Sequence, residues 1–134
     1  MTTPTSAASP ATARVLLVED NERVRDSMSE LIEAFGHSIR CAPDAESALQ
    51  MLAQDGGAVD VMISDLSLPK MSGLDLTRQV HEQYPQIRLV LATGYGSLID
   101  AGRLGFEILV MPKPIDIDRL ADYLDEVAAA RAAG

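Results

Sequence analysis

The chain has 134 residues, 47% of them hydrophobic, and a formal net charge of −9, as expected of one globular domain with enough apolar side chains for a core. The acidic balance, with no basic stripe anywhere, argues against a nucleic-acid surface, and no run reaches the roughly 20 apolar residues that a membrane span requires. A single cysteine, Cys41, cannot form an internal disulfide, which suits a reducing, cytoplasmic setting.

Residues 1–13 are Met followed by Thr, Ser, Ala and Pro, without charge. They have neither the basic start nor the apolar centre of a signal peptide, and we expect a disordered lead or linker ahead of one domain over 14–131. The first strand is expected at 15–18, Val-Leu-Leu-Val, and it runs straight into Glu19 and Asp20. Helix one should carry Val24, Met28, Leu31, Ile32 and Phe35 on its inner face, with Gly36 as its stop. A second strand is expected near 37–42, with Cys41 as a small core residue and His37 as an ordinary strand or surface residue. Asp44 is the expected N-cap of helix two, which buries Ala45, Ala48, Leu49 and Leu52 and ends at Gly56-Gly57. The third strand, 61–64, runs into Asp65. Ser72 with Asp75 three residues on has the form of a capping box for helix three, whose inner residues are Leu76, Val80 and Tyr84. Here His81 has no assigned role. After Pro85, strand four covers 88–92 and ends at Thr93. Gly94, Gly96, Gly102 and Gly105 crowd the next stretch; each costs about 1 kcal/mol inside a helix relative to alanine, so any fourth helix should be short or labile. A last strand leads to Lys113, and Asp116 can cap a final helix with Leu120, Leu124 and Val127 buried.

Strands and helices alternate, which indicates an α/β doubly wound sheet with helices on both faces. The strands are short, branched and nearly unalternated, as parallel strands covered on both sides are. The carboxyl ends of such strands meet in one crevice, and there the acids accumulate: Glu19 and Asp20 after strand one, Asp65 after strand three. Two carboxylates at ~4 Å repel by about 4 kcal/mol at an effective dielectric of about 20. A cation or proton must offset that, and carboxylates with water suit Mg²⁺, with Mn²⁺ as a substitute. Taken singly, a strand-end Asp can be a helix cap, Thr93 a turn residue beside Gly94, and Lys113 a solvated charge.

Two acids, then Asp65, then Thr93, then Lys113 before a proline, each at a strand end, resemble the ordered signature of response-regulator receiver domains of two-component signalling, chemotaxis regulators among them. Asp65-Leu66-Ser67-Leu68-Pro69 and Met71-Ser72-Gly73 resemble the family's loop after its phosphorylated Asp, and the likeness runs over about 14–131. The resemblance implies a five-stranded parallel sheet in the order 2-1-3-4-5, a flavodoxin-like arrangement. It implies Asp65 as phosphoacceptor, with Thr93 and Lys113 as its catalytic companions. It implies Mg²⁺ held by Glu19 (through water), Asp20, Asp65 and the backbone carbonyl of Ser67. The implied partners are a histidine kinase or histidine phosphotransfer protein and a downstream protein, with no nucleic acid and no membrane insertion. The implied role is a phosphorylation-controlled switch rather than an enzyme acting on other substrates.

Receivers usually carry Tyr or Phe three residues before the lysine; here Val110 stands there, without a ring to bury. Pro112 removes one backbone donor from the end of strand five, and the family's habit implies a cis Lys113–Pro114 bond. Together with Thr93-Gly94-Tyr95 and Lys113-Pro114-Ile115, these departures resemble receivers attached to hybrid sensor kinases, with a free-standing regulator as the other expectation. Three further readings differ in class. A Mg²⁺-dependent phosphohydrolase with an Asp nucleophile would want a second Asp where Ser67 stands. A flavodoxin-like cofactor binder is opposed by the acidic loop of residues 19–22, which repels phosphate. A phosphate-independent interaction module is the third.

Overall fold

The computed structural model describes residues 12–94 and 105–133. Strands β1 (Arg14–Val18), β2 (Ser38–Ala42), β3 (Val61–Asp65), β4 (Arg88–Thr93) and β5 (Leu109–Pro112) form one parallel sheet in the order β2-β1-β3-β4-β5. Helices α1 (Glu22–Ala34), α2 (Ala45–Asp55), α3 (Gly73–Gln83) and α4 (Ile117–Ala133) cover it. This is the expected doubly wound, flavodoxin-like order. The short helix expected after β4 falls on residues 95–104, and most of the expected lead falls on 1–11; both lie outside the described residues.

Side chains of a strand alternate between faces, and β1 shows the consequence. Leu16 and Val18 enter one core with Ala48, Leu52, Leu76 and Val80 from α2 and α3. Val15 and Leu17 enter the other with Met28 and Ile32 of α1 and Leu120, Leu124 and Val127 of α4. Because both faces are filled, every β3 residue is buried, including the polar Ser64 and Asp65 at its end. Asp44 accepts the Ser47 N–H at 2.7 Å and caps α2, whose end is the left-handed Gly56. Ser72 accepts the Asp75 N–H at 3.1 Å and caps α3, and Asp116 accepts the Arg119 N–H at 3.2 Å before α4. Leu49 and Tyr84 are half-buried against the α2–α3 core, and Cys41 is half-buried on the other face, its sulfur 3.0 Å from Ser29 Oγ. The Lys113–Pro114 bond is cis, as the resemblance implied.

Two expectations are corrected. Helix α1 buries Met28 and Ile32, not the five-residue face expected: Val24 is 40% and Leu31 36% exposed, and Phe35 is only half-buried at the cap. Met28 and Ile32 stand one above the other and define the line of contact with the sheet, while Val24 and Leu31 fall to its flanks. His37 is not an ordinary strand or surface residue either. It is 5% exposed, its Nδ1 accepts the Ala13 N–H at 3.0 Å, and its Nε2 meets Asp125 Oδ1 of α4 at 3.1 Å. With Nδ1 accepting, Nε2 carries the proton, and a ring with one acceptor and one donor can be buried because both have partners.

The amino ends of the strands are tied by Asp60, just before β3. It accepts the Arg14 backbone N–H at 2.7 Å and Arg14 Nε and Nη2 at 3.2 and 2.9 Å, with Arg131 Nε at 3.5 Å. Burial alone would push its carboxyl up, but the Arg14 hydrogen bonds and the charges of Arg14 and Arg131 outweigh this and hold it below the usual aspartate range. A carboxylate held low stabilises the fold above its unfolded pKa of about 3.9, and that contribution disappears as pH falls through the lower folded value. Asp60→Ala is therefore expected to cost about 2–3 kcal/mol at pH 7. In urea unfolding, the gap between variant and wild type should narrow steadily below about pH 4; a gap independent of pH would show that packing, not charge, holds this corner.

Candidate functional site

The strand ends bring the acids together as the pattern of the chain suggests. Val18 pairs with Ser64 and Asp65 with Ala92, so Glu19 and Asp65 leave adjacent strands at one level, with Thr93 one residue further along β4. One carboxylate oxygen from each of Glu19, Asp20 and Asp65 lies within 4.8 Å of the others. Glu19 and Asp65 are buried and Asp20 is exposed.

Neither Glu19 nor Asp20 serves as the cap of α1. Asn21 does, accepting the Val24 N–H at 3.1 Å, which leaves both acids directed at the crevice. An Asn three residues before an apolar helix position is a readable capping signal. Arg25, also not singled out, donates from one guanidinium nitrogen to the carbonyls of Glu19 at 2.9 Å and Asp20 at 3.3 Å and so braces the acidic turn. The Asn21 N–H returns to Glu19 Oε2 at 3.0 Å.

Lys113 closes the site. Its backbone N–H meets the Thr93 carbonyl at 2.7 Å, beside the Thr93–Pro112 pair, and this places the side chain over β3. Nζ donates to Asp65 Oδ2 at 2.7 Å and stands 3.6 Å from Glu19 Oε1. Burial works to lower the Lys113 pKa, but the hydrogen bond and charge of Asp65 and the charge of Glu19 outweigh it and hold the ammonium above its ordinary value. Burial pushes the Glu19 carboxyl up, helped by the neighbouring Asp20 and the charge of Asp65, and opposed by the Asn21 N–H and Lys113. Three converging carboxylate oxygen donors fit a hard divalent cation such as Mg²⁺.

Behind Asp65 the chain turns sharply. The Leu66 N–H reaches the Ala92 carbonyl at 2.9 Å, and the Ser67 N–H approaches Asp65 Oδ1 at 3.3 Å, which keeps residue 67 beside the carboxylate. Gly73 N–H then bonds the Leu66 carbonyl at 2.8 Å. A Cβ on Gly73 would stand 2.0 Å from the Asp65 carbonyl oxygen, so α3 starts where only glycine fits. Thr93 is buried at the end of β4, and Val110 is half-buried on β5 opposite Leu91.

Residual repulsion among the acids gives a small, measurable effect. Asp20→Asn is expected to raise the melting midpoint in chelator by about 3 °C, on the order of 1 kcal/mol. Lys113 already offsets Asp65 and Glu19, so the gain is confined to the exposed acid. An unchanged or lower midpoint would show that these carboxylates carry no net strain.

A family model described as the response regulator receiver domain matches residues 15–125. The sensor kinase CckA of Brucella abortus is 31% identical over 121 residues, covering 86% of this chain and 12% of that protein. The response regulator FleR of Pseudomonas aeruginosa is 32% identical over 125 residues, covering 91% of this chain and 26% of that protein. The chain therefore spans about a quarter or less of the length of these two relatives. Among solved structures, the signal receiver domain of an HD domain-containing protein from Pseudomonas fluorescens Pf-5 superposes with a TM-score of 0.78 at 29% identity, covering 92% of this chain and 99% of that one.

Proposed function

The chain belongs to the response regulator receiver family, the signalling module of two-component systems, and from that premise we propose that it takes a phosphoryl group onto Asp65 and changes its binding to a partner protein in consequence. The observation that carries this reading is the Lys113 ammonium at 2.7 Å from Asp65 Oδ2, with the carboxylates of Glu19 and Asp20 converging on the same residue.

Receivers pair with histidine kinases or phosphotransfer proteins, and in this reading one of these supplies the phosphoryl group as phosphohistidine. Asp65 Oδ attacks phosphorus, the P–N bond to the donor imidazole breaks, and the acyl phosphate remains on Asp65. Asp20, Asp65 and the Ser67 carbonyl are the direct ligands proposed for Mg²⁺, with Glu19 acting through water. Bound there, the metal supplies charge neutralisation for the phosphoryl oxygens. Lys113 releases Oδ2 and turns its ammonium to a phosphoryl oxygen, and the Thr93 hydroxyl donates to another. The backbone bond between Lys113 N–H and the Thr93 carbonyl links the two residues, so both respond to the new charge together. Val110 gives this movement no ring to carry inward, so the signal leaves through the Thr93 and Lys113 segments themselves. An apolar recess beside Asp65, lined by Val24, Met28, Pro114, Ile115 and Ile117, offers the phosphoryl donor a landing surface next to the acceptor.

The test is intact-mass spectrometry after incubation with acetyl phosphate, with and without Mg²⁺, on wild type and Asp65→Asn. The expected result is a Mg²⁺-dependent phosphoryl adduct on wild type that is absent from the variant. An adduct of equal yield on Asp65→Asn would sink the assignment of the acceptor. No adduct on wild type, with Mg²⁺ still raising the melting midpoint, would favour the phosphate-independent reading.

A further inference from the structure

The amino ends of the strands carry a second constellation, independent of the phosphorylation reading. Arg14 at the start of β1, Arg88 at the start of β4 and Arg131 near the end of α4 surround a recess of about 330 Å³, walled also by Asp60, Gln86 and Gly57. Asp60 and Asp65 lie at opposite ends of β3, about 16 Å apart by strand rise, so this recess is remote from the acidic crevice.

Three arginines and one carboxylate line this recess, a local charge of +2 (three minus one) on a chain whose net charge is −9. Neutralising Asp60 does not account for all three. Arg14 gives Asp60 two side-chain N–H groups out of the five a guanidinium carries. Arg131 stands 3.5 Å from the same carboxylate and donates to the Thr12 carbonyl at 3.0 Å. Arg88 gives the Asp60 carbonyl only its backbone N–H at 3.0 Å, and the residue also lines the wall that carries Tyr123. The side chains of Arg14 and Arg131 are 40% and 46% exposed, so an anion can reach them.

A larger recess of about 590 Å³ lies beside the first, with Gln86 and Arg88 lining both. Leu89, Ile108, Leu109 and Tyr123 give it an apolar and aromatic wall, Glu107 adds one carboxylate that brings the two recesses together to +1 (three minus two), and His81, stacked on Phe106 at 4.8 Å, closes it on the α3 side. Its volume falls within the range of small-molecule pockets. A cationic recess beside a half-apolar one is the division of labour that an organic phosphate requires: planar N–H forks for the phosphoryl oxygens, apolar and aromatic surface for the remainder.

We propose that the two neighbouring recesses together bind an organic phosphate, with its phosphoryl groups against Arg14, Arg88 and Arg131 and its planar remainder beside Tyr123. The occupied site lies between the amino ends of β1 and β4 and the end of α4.

Isothermal titration of the full chain in chelator, with adenosine diphosphate, pyrophosphate and adenosine as probes, tests this. Chelator removes metal-mediated capture of phosphate at the acidic end. The expected order is adenosine diphosphate tightest, pyrophosphate at least tenfold weaker, adenosine without measurable binding. Arg88→Gln and Arg131→Gln should each weaken adenosine diphosphate at least tenfold, and Asp65→Asn should leave it unchanged. Arg88→Gln leaves the Arg14–Asp60 and Arg131–Thr12 contacts in place, so its loss of binding cannot be put down to the corner coming apart. The proposal is overturned by no heat from adenosine diphosphate at millimolar concentration, by unchanged affinity in both arginine variants, or by loss of affinity in Asp65→Asn. Pyrophosphate binding as tightly as adenosine diphosphate would overturn the role of the larger recess.

Discussion

Replacing Gly73 by alanine is expected to cost the fold about 3 kcal/mol and to slow phosphorylation of Asp65 by about 100-fold. The added Cβ would stand 2.0 Å from the Asp65 carbonyl oxygen, 2.8 Å from its carbonyl carbon and 2.9 Å from Leu66 Cα. All three are backbone atoms, so no side-chain rotation relieves the overlap. Either the first turn of α3 withdraws, losing the Gly73–Leu66 hydrogen bond, or the end of β3 shifts and carries Asp65 with it. Overpacking of this kind costs about 1–3 kcal/mol and a lost backbone hydrogen bond about 1 more. A displacement of about 1 Å in a reacting group is enough for about a 100-fold loss in rate. Denaturant unfolding measures the first effect, and the rate of adduct formation from acetyl phosphate measures the second. A variant with wild-type stability and rate would show that the loop after β3 yields without moving Asp65.

The second large effect is expected at Lys113. Lys113→Met keeps the length of the side chain and removes the ammonium that stands 2.7 Å from Asp65 and 3.6 Å from Glu19. Without metal, three carboxylates then share the crevice with no cation bonded to them, and stability in chelator should fall by about 1–2 kcal/mol, discounted because the lysine is about one-third exposed. Because more repulsion remains to be relieved, Mg²⁺ should raise the melting midpoint by more in the variant than in wild type. The rate of phosphorylation should drop by about 100- to 1,000-fold, the usual scale for removing one electrostatic partner of a transition state. The informative comparison is the two melting curves with and without metal. Equal metal responses would mean that Lys113 and the cation do not share the same carboxylates.

Much of this arrangement is written in local pattern. A parallel strand buried on both faces is a short run of branched apolar residues, and 15–18 and 61–64 could be read as such before any pairing was known. The strand-end acids follow directly, because whatever comes after such a run must emerge at the carboxyl edge. The caps Asp44 and Ser72 obey a rule of three residues and were equally legible. Contacts made by strand adjacency were not. Arg14 and Asp60 are 46 residues apart, and nothing in either neighbourhood announces a partner; the pair exists because β1 and β3 lie side by side. His37 escaped for the same reason, since its partners come from the start of β1 and from α4. The width of α1's buried face was overestimated because periodicity identifies the side of a helix that is apolar, and only packing decides how much of that side the sheet covers. Arg25 belongs with these, since a guanidinium bracing two carbonyls has no sequence pattern of its own.

The hydrogen bond from Arg131 to the Thr12 carbonyl, with the His37 bridge from Ala13 to Asp125, brings the first described residues and the end of α4 to the same place. A fold in which the start of the first strand and the last helix meet in this way is suited to circular permutation. A few linking residues between them can close the backbone into a ring, which can then be opened at the Gly56-Gly57 turn without altering the order of the sheet. In such a permutant β3 becomes the first strand and β2 the last, yet Glu19, Asp65 and Lys113 keep their places in space. The wiring of this domain and the assembly of its crevice are thus separable properties.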